Sequence, residues 1–600
     1  MQAIILAAGM GKRLKELTQD NTKCMLKVHG ETLIERALEI LVEAGVKKMV
    51  LVIGYHGENV RELLGDSYRG MTITYIENPI YYKTNNIYSL WLAREELCKD
   101  DTILLESDLI FEPRILTGII NDPRPNLAAV APFKSWMDGT VVRLNEIDEI
   151  THFIGKAAFR YSEADIYFKT VNIYKFSQEF SINHYVPFLN AYCQALGHNE
   201  YYEQVLKVIT FLDKSNLKGF RISNEKWYEI DDIQDLNNAE TIFAEPAMKL
   251  RLFSRRYGGY WRFPELKDFC YLVNPYFPPQ RMIDEMKCYL PELIANYPSG
   301  QEINRLLAAK MFGVGTDQIL VGNGAAEIIK SLMELETGKV GFICPTFVEY
   351  MERLAPENHK VFTPKNKDFS YTVDELIDFS ADLDSLVLIN PDNPSGQMIS
   401  KAEVIKLSDW FEENGKRLVL DESFIDFSDN SIENSCISRE IIESHRNLVI
   451  VKSISKSYGV PGIRLGVVVS SNGITMKTIQ KKLAIWNINS FGEYFLQVIG
   501  KYENDYLTAC KKIISERNTF FNELNQISWL RVIPSQANYF LCEIIGKYSA
   551  SELAKKLLVD HDIFIKDNTG KRGFETGEYV RIAIRDREDN SSFVNILKTL

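Results

Sequence analysis

Short apolar runs alternate with helix-period segments along this chain, and that alternation restricts it to few architectures. Residues 3–8, 49–53 and 102–105 read as buried strands, and residues 32–44 between the first two read as an amphipathic helix. Strand, helix, strand in that order predicts a parallel sheet, because a parallel connection has to cross back over the sheet and a helix does this. The pattern runs to about Phe243. Lys249, Arg251, Arg255 and Arg256 then lead into Tyr257-Gly258-Gly259-Tyr260, and a second series starts near Asp268. Its strands are expected at residues 341–344, 386–389, 417–420 and 447–451, with a helix at 401–413. No internal repeat relates the two series, and 600 residues exceed the roughly 300 that one core can hold. The expectation is two different α/β domains, residues 1–245 and 268–600, joined by a linker over 246–267.

Acidic residues outnumber basic ones by 12, and no run of five like charges occurs. Charge spread in this way belongs to a solvated surface and argues against a nucleic-acid groove. No stretch approaches the roughly 18 uninterrupted apolar residues of a membrane span. The first residues place apolar before basic side chains, the reverse of a signal peptide, and none of the nine cysteines stands in a C-x-x-C pair. A cytoplasmic protein with reduced, buried thiols is expected.

After the first strand comes Leu6-Ala7-Ala8-Gly9-Met10-Gly11-Lys12-Arg13-Leu14. Small residues in such a turn let backbone N–H groups approach a phosphate, with Arg13 and Lys23 supplying charge. A glycine pair alone is more often a plain strand-to-helix turn, and neither the dinucleotide fingerprint nor the P-loop motif is complete. Two further carboxylates raise the reading: Asp108 at the end of the 102–107 strand and Asp231 in Trp227-Tyr228-Glu229-Ile230-Asp231-Asp232. Such a pair facing a phosphate loop suits Mg²⁺, which commonly takes one or two protein carboxylates and leaves positions for substrate phosphate.

Residues 1–245 resemble the nucleotidyltransferase superfamily, with its L-A-A-G-x-G-x-R-L signature at Leu6 to Leu14. Thr84-Asn85-Asn86-Ile87-Tyr88-Ser89-Leu90, Glu106-Ser107-Asp108 and Asp138-Gly139-Thr140 are similar to the cytidylyltransferase branch acting on choline phosphate and related phospho- or phosphono-amines. The resemblance implies a Rossmann-like fold and attack of a phosphate or phosphonate on the α-phosphorus of CTP. It implies nucleotide contacts from Leu6, Ala7, Ala8, Gly9, Gly11, Arg13 and Lys23, and Mg²⁺ on Asp108 and Asp231. Where many relatives carry Pro-Lys, this chain has Thr22-Lys23. Trp136 and Asp138 could meet an ammonium group, although a tryptophan is more often simple packing.

In the second domain, Asn390-Pro391-Asp392-Asn393-Pro394-Ser395-Gly396 follows one strand and Asp421-Glu422-Ser423-Phe424 ends the next. Ser453-Ile454-Ser455-Lys456 is followed by Arg464. These residues suit pyridoxal phosphate (PLP): a lysine for the Schiff base, an aspartate for the pyridine nitrogen, Arg and Ser for the phosphate. The S-x-x-K of penicillin-recognising enzymes also fits residues 453–456. That family needs S-D-N and K-T-G downstream, whereas the S-D-N here lies upstream at 428–430 and K-T-G is absent.

Residues from about 255 onward resemble fold-type I PLP enzymes of the aminotransferase class I/II group, near histidinol-phosphate aminotransferase and threonine-phosphate decarboxylase. The resemblance makes Lys456 the Schiff-base lysine and Asp421 the pyridine-nitrogen partner. Asn393 would meet the ring hydroxyl, Phe347 would stack on the ring, and Ala325, Ala326, Ser453 and Arg464 would hold the phosphate. Arg581 would take a substrate carboxylate, and Tyr297 would reach across from a partner subunit, which implies a homodimer. Histidinol-phosphate aminotransferases usually carry Tyr where this chain has Phe424, so Asp421 to Phe427, Gly322 to Glu327 and Val460 to Arg464 look more like the decarboxylase branch. The expected function is therefore bifunctional: phosphoserine is decarboxylated to phosphoethanolamine, which then receives CMP from CTP. The alternatives are a transaminase making 2-aminoethylphosphonate for cytidylylation, and a PLP domain serving as a non-catalytic ligand sensor.

Overall fold

The run Gln2–Ala7 (β1) is apolar on both of its faces and buried at every position, so it has to lie inside a sheet covered on both sides. In the computed structural model, which describes residues 1–212 and 216–600, β1 lies between and parallel to β2 (Lys48–Ile53) and β4 (Thr102–Glu106). β3 (Met71–Glu77) continues the parallel sheet beyond β2. Strand alternation sorts the side chains. Ala3 and Ile5 meet Ile34, Leu38 and Leu41 of α1 (Leu33–Glu43), while Ile4 and Leu6 meet Ile87 and Leu90 of α2 (Asn86–Leu92). α1 starts where the sequence predicts. The Thr32 hydroxyl accepts from Glu35 N (3.2 Å) and the Glu35 carboxylate accepts from Thr32 N (3.2 Å), a reciprocal cap worth about 1 kcal/mol.

Beyond β4 the sheet turns antiparallel through β7 (Phe168–Phe176), which pairs with β4 on one side and with β6 (Leu127–Pro132) on the other. A separate antiparallel pair, β5 (Leu109–Phe111) with β8 (Trp227–Glu229), matters for the site. Ile230 N donates to Asp108 O (3.0 Å), so the segment leaving β8 is tied to the segment leaving β4.

The second unit centres on a seven-stranded sheet. Its strands are β9 (Ile319–Asn323), β10 (Val340–Ile343), β11 (His359–Phe362), β12 (Ser385–Ile389), β13 (Arg417–Asp421), β14 (Leu448–Ser453) and β15 (Leu465–Val469), in the order β9-β15-β14-β13-β12-β10-β11. β15 runs antiparallel to both neighbours, and the other pairings are parallel. Leu386, Leu388, Leu418 and Leu420 enter the core on one face, and Val387, Ile389, Val419 and Val451 enter the core on the other. A four-stranded antiparallel sheet nearer the C-terminus pairs β16 (Tyr539–Ile544) with β17 (Glu578–Ala583), placing Leu541 opposite Arg581.

The chain divides between Arg262 and Phe263. Helix Pro246–Ser254, inside the expected linker, buries Phe253 and belongs to the first unit, whereas Lys267–Asp268 pairs with Ile563–Phe564 in the second. The strand expected at 447–451 runs on to Ser453, because the buried Lys452 finds Asp426 (2.8 Å) and so stays in the strand without an unpaired charge. Among the described residues no helix is long and apolar enough to cross a membrane.

Candidate active sites

In the first unit the parallel strands deliver their loops to one edge, where ligands gather in open α/β sheets. A cleft of about 490 Å³ opens there, lined by Leu6, Ala8, Gly9, Gly11, Arg13 and Lys23 from the glycine-rich segment and by Asp108 and Asp231. Ala7, expected with them, is the buried last residue of β1 and does not line the cleft. Gly11 is in the left-handed region (φ +59°), and a Cβ there would come within 3.0 Å of the Thr18 methyl group. Thr22 stands where a proline is usual, and its hydroxyl donates to Gly9 O (3.4 Å), tying the loop to the lysine turn.

Lys23 Nζ bonds Asp108 and also reaches Asp231 Oδ1 (2.7 Å), and Arg13 Nη2 meets the same Asp231 oxygen (2.7 Å). Burial opposes the charge on Lys23, but Asp108 and Asp231 outweigh it and raise its pKa. Burial likewise pushes Asp231 up, and Lys23 with Arg13 holds its carboxyl below the ordinary range.

Glu229 joins Asp108 and Asp231, with carboxylate oxygens within 4.8 Å of one another. It was not singled out from sequence. The available signal is strand periodicity, since residues 229 and 231 share a face when the backbone is extended. Among the described residues Asp108 Oδ1 is buried without a hydrogen-bond partner. An orphaned carboxylate oxygen beside two further carboxylates and a phosphate loop fits a divalent cation such as Mg²⁺.

Beside these carboxylates the cleft wall carries Asn86, Glu106, Lys169, Asn172 and Glu203. Lys169 is committed to Glu229 (3.2 Å) and Thr170 O (2.6 Å). Burial holds the Glu203 carboxyl up at about 7 and pushes Glu106 well above its usual range, with Asp108 and Glu203 adding to the latter. Trp136 lies flat on Tyr228 (centroids 4.4 Å, 7° between planes), so one of its faces is taken.

In the second unit, parallel strands β13 and β14 end on Asp421 and Ser453, and Lys456 follows in the short helix Ile454–Ser457. Asp421 Oδ2 accepts from the Tyr350 hydroxyl (2.8 Å) and Oδ1 accepts from Ser423 N (2.9 Å), which fixes the carboxylate plane. Lys456 Nζ lies 5.3 Å from the Phe347 ring centre and 4.2 Å from that of Phe424. Desolvation lowers the Lys456 pKa to about 8; Asp421 opposes this and Arg581 adds to it.

Gly324 opens the helix Gly324–Met333 at φ +69°, and a Cβ there would meet Arg464 Nη2 at 2.5 Å. Only glycine lets Arg464 lie across this helix start, beside Ala325 and Ala326, and Gly324 N donates to Arg464 O (3.0 Å). Asn393 Oδ1 accepts from Arg581 Nη1 (2.6 Å), Arg581 Nη2 donates to Cys270 O (2.8 Å), and Arg581 Nε is buried without a hydrogen-bond partner among the described residues. Lys571, lowered to about 7 by burial and then by Arg581 and Lys566, adds positive charge nearby. A partly desolvated lysine between two rings, a fixed aspartate, a helix start shaped for an arginine and an orphaned guanidinium nitrogen fit PLP and an anionic substrate. Tyr297 stands apart on the surface, 79% exposed, against Trp486. Sequence reasoning missed Tyr350, whose partner lies 71 residues away and is brought close only by the sheet order.

Residues 268–597 match the aminotransferase class I and II family, and residues 3–153 match the MobA-like NTP transferase domain. Over 600 residues the chain is 32% identical to the CMP-5'-(3-aminopropyl)phosphonate synthase of Streptomyces rubellomurinus, covering 99% of this chain and 94% of that protein. It is 33% identical to the L-serine phosphate decarboxylase of Sulfurospirillum multivorans over 56% of this chain and 90% of that one. A solved decarboxylase structure from Sulfurospirillum multivorans superposes with a TM-score of 0.52 at 31% identity, covering 57% of this chain and 90% of the other. The protein is thus an enzyme that belongs to the aminotransferase class I and II family, its PLP-dependent unit fused behind a nucleotidyltransferase unit as in its full-length Streptomyces relative.

Proposed function

We propose that the two units make a CMP-activated aminoalkyl phosphate or phosphonate. The second unit decarboxylates an ω-phosphorylated or ω-phosphono α-amino acid, with phosphoserine as first substrate, and the first unit joins CMP from CTP to the phosph(on)ate oxygen. The observation that carries this reading is the full-length similarity to a CMP-phosphonate synthase, in a chain whose second unit is similar to a phosphoserine decarboxylase.

In the transferase unit the acceptor oxygen bonds to the α-phosphorus as the bond to the β-phosphate oxygen breaks, and pyrophosphate leaves. Asp108, Asp231 and Glu229 would hold Mg²⁺, whose charge offsets that of the triphosphate. Backbone N–H groups from Gly9 to Arg13 bind phosphate, and Lys23 and Arg13 steady it.

In the second unit bound PLP supplies the electron sink that lets a bond at Cα break. Asp421, oriented by Tyr350 and Ser423, would hold the pyridine nitrogen protonated. Phe347 would flank the ring, Asn393 would meet the ring hydroxyl, and Ser453, Arg464 and the N–H groups of Ala325 and Ala326 would hold the phosphate. Lys456, with its lowered pKa, can hold or give a proton at Cα near neutral pH. Phe424 places a ring and no hydroxyl beside that amine. Arg581 and Lys571 offer separate positive groups for a substrate bearing both carboxylate and phosphate. The exposed Tyr297 would complete the site of a second subunit in a homodimer.

The test is to incubate the holoenzyme with phosphoserine, and separately with 2-amino-4-phosphonobutyrate, with no 2-oxo acid present. Many turnovers of CO₂ and the corresponding amine, and a CMP conjugate once CTP and Mg²⁺ are added, are expected. A single stoichiometric conversion of cofactor to its pyridoxamine form would overturn the decarboxylase assignment in favour of a transaminase. So would turnover only with phosphonoacetaldehyde and an amino donor. No chemistry with any of them would leave the sensor reading.

A further inference from the structure

The transferase cleft has two carboxylates that neither phosphate nor metal binding uses. Glu106 ends β4 and Glu203 starts the helix Glu203–Phe211. Both line the cleft, and among the described residues neither has an ion-pair partner. Glu203 is only 6% exposed, and its Oε2 is buried without a close hydrogen-bond partner among the described residues, the buried Tyr174 hydroxyl being the donor on its side. A lone carboxylate oxygen in that position is costly unless the group takes up a proton or a ligand supplies the missing donor, and a cationic donor favours the ionised form.

The surrounding frame holds this wall in place. Asn86 Nδ2 donates to Glu106 Oε1 (2.9 Å) while Asn86 Oδ1 accepts from Tyr202 N (3.0 Å), so one side chain ties the end of β4 to the start of the Glu203 helix. Asn85 N donates to His198 O (3.0 Å), and Asn78 Nδ2 reaches Thr84 Oγ1 (3.2 Å) and Ser89 Oγ (3.1 Å). The Thr84-Asn85-Asn86 segment therefore acts as a brace. Lys169, the cation on this wall, is already held by Glu229 and Thr170.

We propose that Glu106 and Glu203 form the subsite for a primary ammonium group on the CMP acceptor and thereby select amino-bearing phosph(on)ates. This rests on the transferase reading above. A primary ammonium brings three N–H donors to a wall of carboxylate oxygens. A quaternary ammonium brings none and depends on aromatic faces, which this wall lacks beyond Tyr81 and the exposed Tyr201.

The experiment compares CMP transfer by the holoenzyme to phosphoethanolamine, phosphocholine and the hydroxyl isostere 2-hydroxyethyl phosphate, which lacks the ammonium charge, in wild type, Glu203→Gln and Glu106→Gln. The wild type should favour phosphoethanolamine over the hydroxyl isostere at least 100-fold in kcat/KM. Each variant should shrink that preference tenfold or more, through the KM of the amine, with the KM of CTP unchanged. Equal loss on amine and isostere in both variants, or wild-type use of phosphocholine as good as phosphoethanolamine, would overturn the subsite. No transfer to any acceptor by wild type would instead overturn the transferase reading. Should the variants fail to fold, free ethanolamine must inhibit wild type competitively against phosphoethanolamine while ethylene glycol does not; inhibition by neither overturns the subsite.

Discussion

Burial of Lys456 has a kinetic consequence that can be worked out and measured. An exposed lysine with a pKa of 10.5 is neutral in about one molecule in 3,000 at pH 7, whereas Lys456 at about 8 is neutral in roughly one in ten. The gain in neutral amine is roughly 300-fold, equivalent to about 3 kcal/mol. Covalent capture of PLP requires the neutral amine, so its rate should rise tenfold per pH unit below about 8 and level off above it. Apoenzyme mixed with excess PLP in a stopped-flow spectrometer, from pH 6 to 10, reads this rate in the visible band, and Lys456→Ala should show no such band. The causes of the shift have opposite signs. Asp421 raises the lysine and Arg581 lowers it, so Asp421→Asn should move the inflection to lower pH and Arg581→Gln to higher pH. A rate still climbing at pH 10, or both variants moving the inflection the same way, would refute the argument from desolvation and neighbouring charge.

CMP transfer should require a divalent ion, and Asp108→Asn, Asp231→Asn or Glu229→Gln should each lower kcat at least 100-fold. Unchanged turnover in chelator would displace the metal site from these three carboxylates. The two activities should also be separable, since their residues belong to different compact units. Lys456→Ala should abolish amino-acid turnover and leave CMP transfer within twofold of wild type, measured on the same preparation; loss of both in a folded protein would be the contrary result.

What the sequence displayed, and what it concealed, divides along the range of the interactions involved. The α1 start was legible because its cap lies within four residues, Thr32 to Glu35, beside a helical period. The phosphate loop and the segments around Asp421 and Lys456 were legible because strand-end loops carry their chemistry in short, ordered strings. Glu229 was half legible, since its alternation with Asp231 places both on one face, but a strand of three residues is too short to announce itself. Glu203 was not legible at all. Nothing in Tyr201-Tyr202-Glu203 marks a carboxylate for burial; that follows from Asn86, 116 residues from the Tyr202 amide it holds. Tyr350 reaches Asp421 only because the loop after β10 and the end of β13 converge in the folded sheet. Residue type tells which groups can ionise. Only the fold decides which of them lose water without gaining a partner, and at Glu203 and Arg581 those unsatisfied atoms are what point to a ligand.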